Sequence, residues 1–314
     1  VKIFQGLEEL EQFVFPVVTT GTFDGIHFGH KKILNRLKEI AQKCGGETVV
    51  ITFYPHPRMV LFPDDNDIKL LSSQEEKIML LEKLGIDNLI IIPFSKEFSR
   101  LTSLDFVRNI LVNKIGTKKL VIGYDHHYGK NREGSFEHLL EFGPVYGFDV
   151  EEIPEQDIDE VAVSSSKIRN SLLEGNVELA NTFLERKYSL SGSVFKGDQV
   201  GRTLGFPTAN INIAFPQKLI PAFGVYLVEV LVENKKYFGA LNIGIRPTLI
   251  NKKPQIEVYI FEFDEEIYGK EVEVLFIKKI RNEQKFSSLE ELKNQIQLDV
   301  LTMKNIINEN NFTL

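Results

Sequence analysis

The run that most constrains how this chain can fold is VVTTGTFDGIHFGH, Val17 to His30. Its β-branched start reads as a buried strand, which breaks at Gly21 and leads to two histidines separated by Phe28 and Gly29. The following segment, KKILNRLKEIAQKC, sets Ile33, Leu34, Leu37, Ile40 and Ala41 at helical spacing. Strand, glycine turn and helix in that order predict an open α/β sheet with a ligand crevice at the turn. The free N–H groups and positive end of the new helix favour an anion there, above all a phosphate. Gly21, Gly25 and Gly29 fall four apart and let the backbone bend close to a ligand. The pattern is neither Gly-x-Gly-x-x-Gly nor a Walker loop, because no Gly-Lys-Ser/Thr follows. Taken singly, either histidine reads as a surface residue. As a pair on a strand–helix junction, His27 and His30 are expected to point into one cleft.

The first half continues in alternation. ETVVITFYP predicts a strand, SSQEEKIMLLEKLG a helix with Ile78, Leu81 and Leu84 on its apolar side, and NLIIIPF another strand. SLDFVRNILVNKIG reads as a helix and KKLVIGYD as a strand, followed by the polar loop HHYGKNREG. A helix near Phe136 to Phe142 and a strand in VYGFDVEEI complete the series. Such alternation predicts a Rossmann-like, doubly wound parallel sheet. From Ser164 to Tyr188 the chain reads as helical, with serines capping a helix that carries Ile168, Leu172 and Leu173 and stops at Gly175. After Arg186 the character changes. Six short strand-like runs lie between Tyr188 and Ile280, which suits a small six-stranded barrel. A C-terminal helix follows, with Leu289, Leu292, Ile296 and Val300 on one stripe. The expected domains are therefore 1–186 and 187–314.

Composition narrows the function. A length of 314 residues is comfortable for two cores. The net charge of −7 argues against a general grip on nucleic acid, though local loops can still hold a small polyanion. The lone Cys44 allows no intramolecular disulfide, and no apolar run is long enough to span a membrane. Acidic residues stand in the first segment where a signal peptide would carry an apolar run. These features predict a cytoplasmic protein.

Two further constellations carry chemistry. Ser164, Ser165, Ser166 and Arg169 open a helix with hydroxyls, free N–H groups and a guanidinium, a set that suits a polyphosphate. In the second half, GSVFKGDQVGRTLGFPTANI spaces Gly197, Gly201 and Gly205 four apart and ends in Pro207-Thr208-Ala209-Asn210. On a strand Thr208 and Asn210 share one face and present two neutral oxygens, which suits magnesium arriving on a nucleotide.

The strand–turn–helix run resembles the His-x-Gly-His motif of the nucleotidyltransferase superfamily. Ser164 to Arg169 is similar to the Ser-Ser-Thr-x-Ile-Arg element of one branch, with Ser166 at the threonine position. Gly123 to Lys130 resembles a Gly-x-Asp-Phe-x-Phe-Gly-Lys segment, with His126 and Tyr128 at the aromatic positions, and Phe53 to Pro57 matches Phe-x-Pro-His-Pro. Gly197 to Asn210 looks like the central motif of riboflavin kinases. Together these point to the bacterial bifunctional riboflavin kinase/FAD synthetase family. The resemblance implies that His27 and His30 are donors to the α/β-phosphates of ATP. It implies nucleotide contacts from Gly21, Phe23, Asp24, Gly25, Gly29, Ser164, Ser165, Ser166 and Arg169, with Phe53, Pro57, Asp125 and Tyr128 toward the flavin. In the barrel it implies nucleotide contacts from Gly197, Gly201, Arg202, Gly205 and Pro207, Mg²⁺ with ATP on Thr208 and Asn210, Glu257 as base, and Arg281 near the flavin. Taken alone, Glu257 is an exposed strand carboxylate and Arg281 an ordinary partner of Glu283. The expected partners are riboflavin, FMN, FAD and ATP, with no nucleic acid or membrane and a monomer or weak homo-oligomer. The alternatives are a chain active only as riboflavin kinase, and a flavin-binding sensor with degenerate sites.

Overall fold

The computed structural model describes the chain apart from residues 65–67, 125, 155–162, 198, 246–253, 311 and 313–314, and the side chain of Val200. Contacts divide it into two compact units, Val1–Ser165 and Ser166–Leu314.

In the first unit the elements run β1 (Lys2–Gln5), β2 (Val17–Thr20), α1 (Phe28–Cys44), β3 (Thr48–Tyr54), α2 (Pro57–Leu61), α3 (Gln74–Lys83) and β4 (Asn88–Pro93). They continue with α4 (Ser103–Asp105), which passes into a π-helix over Phe106–Ile115, then β5 (Lys119–Gly123), α5 (Phe136–Tyr146) and β6 (Asp149–Ile153). The six strands form one sheet in the order β1-β4-β3-β2-β5-β6, and every pairing is parallel. Alternation along the strands feeds two apolar layers. Val18, Val49, Ile51, Ile90 and Leu120 face the π-helix, while Val17, Val50, Leu89, Ile91 and Val121 face Leu34, Leu37 and Ile40 of α1. The chain moves from β2 to β3 and β4 on one side, then to β5 and β6 on the other. The order thus reverses between β2 and β5, and that reversal opens a crevice at the carboxyl ends of the strands.

Three details depart from the expected elements. The edge strand β1 extends the sheet beyond β4 and was not legible in its short, mixed sequence. VYGF is not strand: Tyr146 closes α5, and Gly147 caps it at φ +76°, so β6 begins at Asp149. The helix after Ser103 is mostly π in geometry and ends at the left-handed Gly116.

The second unit opens in α6 (Ser165–Glu174), from Ser166 on, and continues with α7 (Val177–Leu184), β7 (Ser189–Phe195), α8 (Val200–Thr203), β8 (Thr208–Ile213), β9 (Gly224–Val232), β10 (Lys235–Gly244), β11 (Gln255–Ile260), β12 (Glu271–Arg281) and α9 (Leu289–Glu309). Its strands close into an antiparallel barrel, β10-β11-β8-β7-β12-β9. Tyr226, Val228, Leu241, Val258, Val274 and Phe276 are almost wholly buried inside it. Part of the outer wall is covered as well: Val225, Leu227, Phe238 and Ile277 pack against Val300, Met303 and Ile306 of α9. The buried stripe of α9 begins later than the sequence suggested, because Leu289 is 60% exposed and burial centres on Asp299 and Met303.

The compact units do not divide at residue 186. Leu172 accepts a hydrogen bond from the Ala222 N–H at 2.9 Å, and Asn181 bonds both the Phe276 carbonyl (2.8 Å) and the Tyr188 N–H (2.7 Å). With Val177, Ala180 and Leu184 buried, α7 packs as an outer buttress of the barrel.

Candidate active sites

At the end of β2 the backbone turns sharply. Phe23 (φ +47°), Gly25 (φ +84°) and Ile26 (φ +39°) all lie in the left-handed region, and glycine alone adopts it without cost. Strain of this kind persists only where the surroundings hold it, and here Asp24 does so. Asp24 is 3% exposed, and its carboxylate accepts from the N–H groups of Leu71 (2.9 Å) and Ser72 (3.1 Å). The Gly25 N–H donates to Ser72 Oγ, and the Ser165 hydroxyl donates to the Asp24 carbonyl at 3.0 Å. Asp24 and Phe23 (2% exposed) thus support the turn on which the resemblance implies nucleotide contacts. A buried carboxylate bound to N–H groups in this way acts as a clamp on the turn.

The turn delivers the histidines to the start of α1. His27 is the N-cap and His30 lies in the first turn, so their rings stack with centroids 3.8 Å apart and planes at 21°. The Phe23 ring meets His30 edge-on at 5.2 Å. Burial holds His30 well below the ordinary imidazole range, reinforced by His27 and by Lys77, so His30 is neutral at pH 7. Its Nδ1 is enclosed and has no hydrogen-bond partner among the described residues. A pre-placed neutral imidazole beside free helix N–H groups can hydrogen-bond an anion arriving in the crevice.

Sequence reasoning missed Lys77. It lies on the buried face of α3 with Leu81, and its ammonium donates to Thr52 Oγ1 at 3.3 Å. Position 77 stands four before Leu81 on the apolar stripe, but that spacing does not show what the charge meets. Of the expected polyphosphate residues, Ser164 precedes α6, while Ser165, Ser166 and Arg169 occupy its first turns.

The expected flavin side is aromatic. Phe53, at the end of β3, contacts Phe94 (5.8 Å) and Phe98 (5.7 Å), and contacts run on through Phe106 to Tyr128. His126 stacks on Tyr128 at 6.0 Å, and burial lowers its pKa to about 4. A solvated loop histidine, the default for such a position, is not what the structure has. Gly134 is required beside it, because a Cβ there would come within 2.6 Å of the Tyr128 ring. Pro57 is the first residue of α2, and Asp125 lies outside the described residues. A depression of about 660 Å³, lined by Phe15, Lys118, Leu140 and Phe148, lies at the opposite, N-terminal ends of β5 and β6.

In the second unit, register assembles the site. Asn210 stands directly across from Glu257, Glu257 from Asn242, Asn242 from Val225, and Val225 from Arg281. Thr208 stands across from Tyr259. Directly opposed residues share a face. Ile256 and Val258 fill the interior, so Thr208, Asn210 and Glu257 lie on the outer wall. The glycine loop folds back onto this row. Phe206 N–H donates to the Gly201 carbonyl at 2.8 Å, and a Cβ on Gly201 would lie 2.3 Å from the Phe206 carbonyl. A Cβ on Gly197 would come within 2.4 Å of the Asn210 amide, so these glycines serve close approach. Gly205 turns at φ +90°, while Arg202 and Pro207 are exposed. Asn210 Oδ1 is buried without a hydrogen-bond partner among the described residues. A neutral oxygen left open in this way fits a hard cation such as Mg²⁺.

Arg281 is not a partner of Glu283. Its Nε and Nη2 clasp the buried Asp299 of α9 at 2.8–3.0 Å, and Gln295 braces the same carboxylate.

A phosphate-seeking turn on a doubly wound sheet, and a barrel bearing a carboxylate beside the open Asn210 oxygen, define a two-unit nucleotide-dependent transferase. The FAD synthetase family model matches residues 12–167 and the riboflavin kinase model residues 184–307. The bifunctional riboflavin kinase/FMN adenylyltransferase of Escherichia coli K12 is 38% identical over 307 residues, 97% of each chain. That of Bacillus subtilis 168 is 38% identical over 288 residues, 90% of each chain. A crystal structure described as a macrolide-efflux protein from Streptococcus pneumoniae matches with a TM-score of 0.89 at 29% identity, covering 97% of this chain and 99% of that one. This chain belongs to the bifunctional riboflavin kinase/FMN adenylyltransferase family.

Proposed function

We propose that the two units carry out consecutive steps on one flavin: ATP and riboflavin give ADP and FMN at the barrel, then ATP and FMN give FAD and diphosphate at the sheet. The observation that carries the reading is the register that sets Glu257 across from Asn210, beside Thr208. Riboflavin's ribityl hydroxyl is a weak nucleophile, so its attack on the γ-phosphorus gains from a base. Glu257 takes the hydroxyl proton as the new P–O bond forms and ADP leaves. Thr208 and Asn210 would hold Mg²⁺ brought by ATP, which neutralises charge on the transferring phosphoryl group. The exposed loop around Arg202, with Gly197, Gly201, Gly205 and Pro207, follows the nucleotide, and Arg281 lies toward the flavin.

At the sheet, an FMN phosphate oxygen attacks the α-phosphorus of ATP, and the bond to the bridging oxygen of diphosphate breaks. The FMN phosphate is already anionic, so no strong base is needed. His27, His30 and the N-terminus of α1 stabilise the charge growing on the departing diphosphate. Gly21, Gly25 and Gly29 let the chain approach, and Ser164, Ser165, Ser166 and Arg169 take the outer phosphates. Phe53, Pro57, Tyr128 and Asp125 border the flavin, and the exposed apolar rim of Tyr54, Leu61 and Phe62 supports that assignment. We infer a cytoplasmic chain, monomeric or weakly self-associating, that handles small molecules and neither nucleic acid nor membrane. No helix among the described residues is long and apolar enough to cross a membrane. The test is product analysis with Glu257→Gln and His30→Ala: the first should lose FMN formation but convert supplied FMN to FAD, and the second should do the reverse. Loss of both activities in either folded variant would contradict separate sites.

A further inference from the structure

Among the described residues of the first unit, Lys77 is the buried cation, 6% exposed at the base of the Thr22–His30 turn. An ammonium carries three donors and a charge that is costly to bury without a partner. Its hydrogen bond is a long one, 3.3 Å to the neutral Thr52 Oγ1, and no described carboxylate lies within ion-pair distance. Asp24, the nearest opposing charge that acts on it, is engaged by the N–H groups of Leu71 and Ser72. Thr52 in turn donates its hydroxyl to the Thr22 carbonyl at 3.3 Å, which ties the ammonium to the first residues of the turn. His30 does not supply this charge, since it is neutral at pH 7. The molecule therefore keeps an expensive, unpaired positive charge under an anion-binding turn.

We propose that Lys77 is the fixed positive charge of the adenylyl-transfer site, a positioning residue that acts on the triphosphate from beneath the turn, through Thr52 and through the field at His30. This rests on the proposed reaction of the first unit. The titratable groups whose charges act with the ammonium are Asp24 from the turn and His30 from α1; Asp24 favours its charge, and the neutral His30 adds none at pH 7. Burial brings its pKa down from 10.5 to about 8, so the charge is present at pH 7 and is lost just above.

The test uses the full chain with Mg-ATP, following FAD and diphosphate from supplied FMN between about pH 7 and 9.5, with FMN and ADP from riboflavin as the internal control. For the wild type, kcat/KM for ATP in FAD formation, which follows the free enzyme, should fall above about pH 8 while the kinase step keeps its own profile. Lys77→Met should lower kcat for FAD formation about 10²-fold with a smaller change in KM for ATP, at every pH. Lys77→Arg should retain more activity than Lys77→Met and lose the fall above pH 8. A flat wild-type profile across this range, or a Lys77→Met kcat within about threefold of wild type, would overturn the proposal. The profile decides the matter even where a variant folds poorly. A wild type that makes no FAD at all refutes the underlying reaction instead, a result distinct from failure of Lys77's role.

Discussion

At the residue scale, one donor or one base governs each site. His30→Ala should slow FAD formation by about 10²–10³, the usual effect of losing one preorganised donor, and should leave the kinase rate unchanged. Gly197→Ala should act on the other reaction alone: its Cβ would lie 2.4 Å from the Asn210 amide, so Asn210 must move. Lower FMN formation, with FAD formation intact, is the expected readout. Lys77 also leaves a mark on stability. Its pKa is 10.5 in the ordinary state and about 8 when folded, so between those values the unfolded chain holds a proton that the folded chain has released. Stability should therefore rise with pH across about pH 8 to 10.5, and Lys77→Met should abolish that rise when unfolding is followed in urea.

At the element scale, the barrel's register does what no linear motif can. Asn210, Glu257 and Asn242 are distant in sequence yet adjacent across β8, β11 and β10. The strand–turn–helix that carries His27 and His30 and the strand that begins at Thr208 were legible in the sequence because each sits in a dense local pattern, whereas Glu257 was singled out only by the family resemblance. Lys77 and the Asp299 partner of Arg281 were not legible, because a charge on an apolar helix face declares itself only when packing shows what it meets. Packing likewise adds a role the sequence did not show for Phe23 and Asp24, which hold a strained turn. The Arg281–Asp299 pair joins β12 to α9, with Asp299 only 6% exposed on its side chain. Asp299→Ala leaves a largely buried guanidinium unpaired and should cost about 3–5 kcal/mol of stability in denaturant unfolding. It should also raise KM for riboflavin more than it lowers kcat.

At the scale of the whole molecule, the parallel sheet and the six-stranded barrel followed from alternation and strand count, while the compact units meet at residues 165–166 rather than at the expected domain boundary of 186. The helices of residues 165–184 looked like the tail of the first domain because they follow its last strand. Their hydrogen bonds to Ala222, Phe276 and Tyr188 count them with the barrel. A fragment beginning at Ser166 should accordingly melt at a higher temperature than one beginning at Lys187, which would expose the face of β12 that α7 covers. Equal melting temperatures would argue that these helices add nothing to the barrel. The central claim, two transfers by one chain at two sites, is tested most directly by supplying riboflavin and Mg-ATP and resolving flavins and nucleotides over time. The prediction is FMN appearing first and then converting to FAD, with one ADP and one diphosphate formed for each FAD. FMN accumulating with no diphosphate and no FAD, from a protein shown to be folded, would contradict it.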